Sequence, residues 1–297
     1  MDIREAHRIQ RNFEGMDDPS EEDIFLYTEA MDYLIRETAD PKVMLSLGGY
    51  YYEQKIFPLA LKYYEMAADY KMPNAWEGLG YIWYYGRTGK RDFEKAFHYY
   101  SLAKEAGITE AAVKVADMYK NGYYVEQNFE KYREIIEELY PKVIRARYLN
   151  EPVPEVCTRL AMIRKEEGNI NEAVRLLYQA KDFQAQRLKY SNFFGGINIM
   201  KWLIDDLYEL TRFDDEDFDL FDCMWLLDGQ ESVTIRFYYG DAPQTIKAVV
   251  ENGEPAIHWG EEVYPDRDAF YARAMLDGQR LMSLQDDLYG FEIVREE

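Results

Sequence analysis

Cysteine and histidine are scarce in this 297-residue chain, and their scarcity removes whole classes of chemistry. Cys157 and Cys223 stand far apart, with no CxxC spacing and no histidine beside them, which argues against a disulfide framework and a structural zinc site. A reducing, cytoplasmic setting is the simplest expectation. His7, His98 and His258 each lack a nucleophile or a second metal ligand nearby in sequence, and no Ser-His-Asp order, nucleophile elbow or dinucleotide fingerprint is present. No cofactor, no metal and no enzymatic activity are therefore expected. Long apolar runs are missing too. The start, Met1-Asp2-Ile3-Arg4-Glu5, has no signal-peptide core, and no stretch approaches the length of a membrane span. Positive charge is also in deficit: 35 Lys and Arg face 56 Asp and Glu, a net charge of −21. Nucleic acid and anionic membrane surfaces are poor partners for such a chain. A protein or peptide is the expected partner, and basic surfaces fit best.

Aromatic residues are abundant, at 16% with 27 tyrosines, and hydrophobic residues at 47% supply material for a buried core. Roughly three quarters of the negative excess falls after Phe194. That asymmetry suggests two domains, placed at 1–212 and 213–297.

One pattern recurs between Val43 and Lys181. Leu47-Gly48 with Tyr51 is followed by Leu79-Gly80 with Trp83, by Val115-Ala116 with Tyr119, and by a thinner copy at Leu160-Ala161. Each leads to a second segment anchored at Ala60, Ala96, Tyr132 or Ala173, and the first three anchors lie about 36 residues apart. Four residues on come Tyr64, Tyr100, Ile136 and Leu177, and seven on come Ala67, Ala103, Leu139 and Ala180. Positions i, i+4 and i+7 share one helical face, so small residues admit close backbones while the large one fills the gap. This predicts stacked antiparallel helix pairs. Before them, Ser20-Glu21-Glu22-Asp23 reads as a helix cap, with the helix running to Ala39-Asp40-Pro41 and covering the first repeat. The preceding residues, Met1 to Pro19, are polar and carry no predicted element.

The second copy continues from Leu79-Gly80-Tyr81-Ile82-Trp83-Tyr84-Tyr85-Gly86 through Asp92-Phe93-Glu94-Lys95-Ala96 to Tyr100, Ala103 and Gly107, and resembles a Sel1-like repeat. The third supports it with Tyr119, Gly122, Val125 and Lys131, while the first and fourth, with shorter loops, look more like tetratricopeptide repeats. The copies depart from regularity at Tyr132, at Arg164, and in a segment bearing Pro141, Pro152 and Pro154. The resemblance implies a mainly α fold, an α-α superhelix of Sel1/TPR type, acting as an adaptor or scaffold without chemistry of its own. By the same likeness, first-helix residues one and four places after the buried small residue line a concave face. These are Tyr81 and Tyr84, Asp117 and Lys120, and Tyr52 with neighbouring Glu53. Glu77 lies one turn before Tyr81. Rigid tyrosines beside charges suit peptide capture. The same tyrosines also suit packing between repeats, and both readings stay open here.

After a break at Ser191–Gly196, an amphipathic pattern of Ile199 or Met200, Leu203, Leu207 and Leu210 predicts a helix that caps the repeats. Then the period changes to two, which predicts a small α+β domain with antiparallel strands from about Phe218 to Val294. Val233, Ile235, Phe237 and Tyr239 form one strand. Ile246, Ala248 and Val250 lead through Asn252-Gly253 into Ile257 and Trp259 as a hairpin, with Glu251 opposite Glu254. Pro265 opens a helix ending at Asp277-Gly278, and Tyr289, Phe291 and Ile293 form a last strand.

Two motifs fail closer reading. Gly86-Arg87-Thr88-Gly89-Lys90 lacks the spacing and the hydroxyl of a phosphate loop and reads as an inter-helix turn. Asp215, Asp217 and Asp219 alternate as in a calcium loop, but Leu220 replaces the glycine and Leu226 the bidentate glutamate, so a solvated linker or helix cap is expected. Two functional alternatives remain. One is an acidic inhibitor or immunity-type protein whose C-terminal domain neutralises a basic partner such as a toxin. The other is a small-molecule enzyme or sensor built on His258, Trp259 and Arg236.

Overall fold

The computed structural model describes residues 1–16, 19–146, 149–190, 195–228, 232–251 and 253–294. The chain divides into two units, Met1–Ile135 and Ile136–Glu297. The first begins with α1 (Ile3–Phe13), in a polar segment for which the sequence predicts no element. Only Ala6 of α1 is fully buried, because the helix lays a narrow stripe on its neighbour and Phe13 stacks on Tyr27 at 4.1 Å. Such a thin stripe in a polar segment gives little periodic signal. Ser20 caps α2 (Glu21–Thr38) as expected: its Oγ accepts from the Asp23 N–H at 3.2 Å, and Asp23 Oδ2 accepts from the Ser20 N–H at 3.0 Å. Tyr27, Ala30, Met31 and Leu34 of α2 form the buried stripe.

Five helices of 13 residues each follow: α3 (Pro41–Glu53), α4 (Phe57–Asp69), α5 (Pro73–Tyr85), α6 (Phe93–Glu105) and α7 (Thr109–Asn121). Equal length makes successive pairs stackable. Proline opens α3 and α5, where a missing N–H costs nothing, and Gly86 and Gly122 end α5 and α7 in the left-handed conformation at φ of 63° and 68°. Gly86 is thus the turn expected of it. Helix α8 (Phe129–Ala146) continues across the boundary between the units and contains Pro141 without ending there. All the stripe positions named above are buried, from Leu47, Leu79, Val115 and Leu160 to Ala67, Ala103, Leu139 and Ala180. His98 of α6 is exposed, with its ring 5.2 Å from that of Tyr99, so it is no part of this core.

In the second unit α9 (Val153–Glu166) and α10 (Ile170–Tyr190) form an antiparallel pair, and α11 (Gly196–Thr211), with Met200, Leu203 and Leu207 buried, packs on α10. The predicted break overlaps residues 191–194, which lie outside the described residues. A short α12 (Cys223–Leu226) precedes a five-stranded antiparallel sheet. Its strands are β1 (Val233–Tyr239), β2 (Ala242–Glu251), β3 (Glu254–Trp259), β4 (Glu262–Tyr264) and, after α13 (Arg267–Arg273) and a β5 (Met275–Leu276) to β6 (Gln279–Arg280) hairpin, β7 (Leu288–Ile293). The order is β4-β3-β2-β1-β7. Ile235, Phe237, Ile246, Ala248, Ile257 and Trp259 are buried, and Glu251 does face Glu254 across the β2–β3 hairpin. The hairpin's Asn252 lies outside the described residues.

Burial and turn placement depart from simple alternation and composition at four points. Val250 is exposed, because the buried face of β2 ends at Ala248. Tyr289 is exposed as well: an irregularity in the β1–β7 register between Arg236 and Tyr238 breaks the alternation. The helix after Pro265 stops at Arg273, and Asp277-Gly278 instead turns the β5–β6 hairpin, with both residues at positive φ. Finally, Asp214 to Asp217 and Asp219 are exposed, as a solvated linker or cap would be, but the acidic run closes on a buried residue. Asp222 is 3% exposed and Lys181 of α10 is 8% exposed, with Lys181 Nζ donating to both Asp222 carboxylate oxygens at 2.7 Å. A tertiary ion pair overrides what composition alone suggests.

Candidate functional site

The candidate surface belongs to the first unit and begins with three glycines. Gly48 and Gly78 admit the Tyr64 ring, since a Cβ at either would come within 2.7 or 2.6 Å of it. Gly80 admits Tyr100 in the same way, at 2.5 Å. Tyr100 is fully buried, and its ring makes edge contacts with Tyr81 at 5.8 Å and Tyr84 at 6.1 Å. Glycine in α5 therefore fixes where the tyrosines of the same helix stand.

From that floor a chain of contacts crosses α3, α5 and α7. The Tyr52 and Tyr81 rings lie 6.4 Å apart, and Tyr81 stacks on Tyr85 at 5.9 Å. Tyr81 Oη donates to Glu110 Oε1 at 2.7 Å. Lys114 Nζ is 3.6 Å from the same Glu110 oxygen, donates to Tyr85 Oη at 3.3 Å, and lies 5.2 Å from the Tyr81 ring centre. Arg87 Nε donates to Tyr52 Oη at 3.3 Å while its guanidinium covers Tyr85 at 4.9 Å and Phe57 at 5.3 Å.

Burial sets the electrostatics. It pushes the Tyr81 hydroxyl well above its usual range, with Glu110 adding to the effect, and pushes Tyr84 up to about 12, helped by Asp117. Tyr52 is raised for the same first reason. Glu77 is pushed up to about 7 by burial and then by the Glu110 carboxylate, against a smaller lowering by Lys114. The shifts all favour the protonated forms of these hydroxyls and of the Glu77 carboxyl.

Of the seven residues singled out from sequence, Tyr52, Glu77 and Tyr81 belong to this cluster, Tyr84 adjoins it through Tyr85 at 4.9 Å, and Glu53 is exposed at the end of α3. Tyr84 also meets Phe93 and Tyr123. Asp117 acts on the Tyr84 hydroxyl, whereas Lys120 lies over the Tyr132 ring at 5.2 Å. Sequence reading passed over Tyr85, Arg87, Glu110 and Lys114. Lys114 had a signal: it is the one charge inside Ala111-Ala112-Val113-Lys114-Val115-Ala116, and it is 8% exposed. Glu110 lies one turn before it.

In the second unit an open cleft of about 530 Å³ is lined by Lys247, His258, Trp259 and Asp277 among others. His258 Nε2 is 3.1 Å from Glu251 Oε1, Trp259 Nε1 donates to the Met275 carbonyl, and Arg236 pairs with Glu292 at 2.8 Å. Arg236 does not line the cleft, so the three residues of the enzyme alternative do not converge on it. Among the described residues no helix is long and apolar enough to cross a membrane.

Neither the protein-family models nor the curated proteins contain a match to this chain. Solved structures do. A Sel1 repeat protein from Oxalobacter formigenes is 18% identical over 76% of this chain and 84% of its own, with a TM-score of 0.53. The protective antigen c5321 of uropathogenic Escherichia coli, which displays an SLR fold, is 16% identical over 62% of this chain and 45% of its own, at TM-score 0.43. YrrB, a TPR protein with an unusual peptide-binding site, is 16% identical over 61% and 92%, at 0.37. The paired helices, the recurring buried glycine and alanine positions and the likeness to the Oxalobacter protein together establish that this chain has a Sel1/TPR-like helical repeat fold.

Proposed function

We propose that the repeats form a non-enzymatic scaffold that binds a peptide or protein on the concave face carrying Tyr52, Glu77, Tyr81, Tyr84, Asp117 and Lys120. One observation supports this above the others: side chains from three successive first helices meet in a continuous aromatic and charged cluster that is only partly buried. Pre-packed tyrosines present contact area with little entropy left to lose on binding. Alanine at Tyr81 and Tyr84 is expected to weaken capture of a selected peptide about thirtyfold, the effect of losing a binding hot spot. Titration calorimetry on variants that keep their circular dichroism spectrum checks it; unchanged affinity removes this face from the proposal.

A second reading assigns the proposed 213–297 domain to neutralising a basic partner. It is supported by Asp214, Asp215, Glu216 and Asp217, which are all exposed. Association with a basic protein should then slow steeply as salt rises. A salt-independent association rate in stopped flow would dismiss it.

A further inference from the structure

Glu77 stands out in the cluster. Glu110 has the Tyr81 hydroxyl and Lys114, and Arg87 has Tyr52 and two further rings. Glu77 sits on the same helix one turn before Tyr81, half-buried, and among the described residues it has neither a hydrogen bond nor an ion pair. Lys114 is near enough to act on it but lies against Glu110 and Tyr85. A second observation points the same way. The Tyr100 hydroxyl, fully buried and within the electrostatic reach of Glu77, has no hydrogen-bond partner. A half-buried carboxyl with no partner among the described residues, one turn from Tyr81 and beside an unpartnered tyrosine hydroxyl, is a place where a donor carried by a ligand gains a charge-assisted bond.

Resting on the peptide-binding reading, we propose that the bound segment anchors here through one arginine or lysine side chain, whose cation pairs with the Glu77 carboxylate and whose stem packs on the surrounding tyrosines. Arginine and lysine offer only donors, as this site requires. An acidic anchor would meet Glu77 and Glu110 together, and an apolar anchor would deepen the desolvation of Glu77 without supplying a partner. The chain's net charge of −21 favours the same sign of ligand, but only Glu77 gives it a fixed position.

The test is an array of peptides with randomised flanks and a fixed central Arg, Lys, Gln or Glu, probed with the labelled full chain. Wild type, Glu77→Gln and Glu105→Gln are compared; Glu105 is exposed on α6, so its variant makes the same charge change away from the cluster. Wild type should select central Arg or Lys. Glu77→Gln should lose about tenfold on those peptides and nothing on the Gln set, as expected for one charge-assisted hydrogen bond, whereas Glu105→Gln should match wild type. Bound peptides without a basic preference, or equal losses in both variants, would overturn the anchor and leave peptide binding standing. No peptide bound by wild type would overturn both.

Discussion

Lys181→Ala is expected to lower the stability of the 136–297 unit by about 3–5 kcal/mol, the cost of leaving a buried charge without its partner. Lys181 Nζ contacts both Asp222 oxygens at 2.7 Å and Asp219 Oδ2 at 2.9 Å. Asp222 also accepts from Tyr208 Oη at 2.7 Å and from the Asp219 N–H at 3.0 Å. Removing the ammonium leaves these two donors to support a carboxylate that water barely reaches. Urea titration followed by near-ultraviolet circular dichroism measures the loss. The double variant Lys181→Met with Asp222→Leu removes both charges and should recover most of it. A single variant losing under about 1 kcal/mol would show the pair to be a surface bridge in energetic terms. The pH dependence has a definite sign. Burial lowers the Lys181 pKa, but Asp219 and Asp222 outweigh it and hold it above the usual 10.5. A lysine raised in the folded state contributes its full stability below the unfolded value, and loses it as pH climbs through the folded one. Alkaline unfolding above about pH 10.5 should therefore be blunted in the double variant.

Gly80→Ala should destabilise the first unit by about 1–3 kcal/mol, whereas Gly49→Ala should be neutral or stabilise by up to about 1 kcal/mol. Both glycines lie inside helices, so both substitutions gain the same helix propensity. They differ in space. A Cβ at 80 would lie 2.5 Å from two Tyr100 ring atoms, and that ring is fully buried with Tyr81 and Tyr84 against its edges, so it has nowhere to move. A Cβ at 49 meets nothing nearer than the Tyr64 hydroxyl at 3.9 Å. Thermal melts of the two variants decide it. The same sign for both would mean that backbone propensity, not the Tyr100 contact, governs this position.

The repeat core was legible because its signal is local. Ala60, Ala96 and Ala173, with Tyr64, Tyr100 and Leu177 one turn later, report one face of one helix, and every one of them is buried. The β2–β3 hairpin was legible for the same reason, with Glu251 facing Glu254 across a two-residue turn. Helix α1 was not, because a stripe of Ala6, Ile9 and Phe13 in a polar background is too thin to stand out. The candidate surface was half legible. Tyr52 and Tyr81 followed from their position in the repeat, but Glu110 and Lys114 come from the next first helix, 29 residues from the Tyr81 and Tyr85 hydroxyls they meet.

By itself, then, the sequence determined the helix pairs, their buried faces and the strand alternation, since periodicity and capping act within a few residues. The tertiary structure decided which charge meets which ring. That choice depends on how the elements are offset in space: it set Tyr81 against Glu110, left Glu77 without a partner among the described residues, and buried Asp222 against Lys181, 41 residues away.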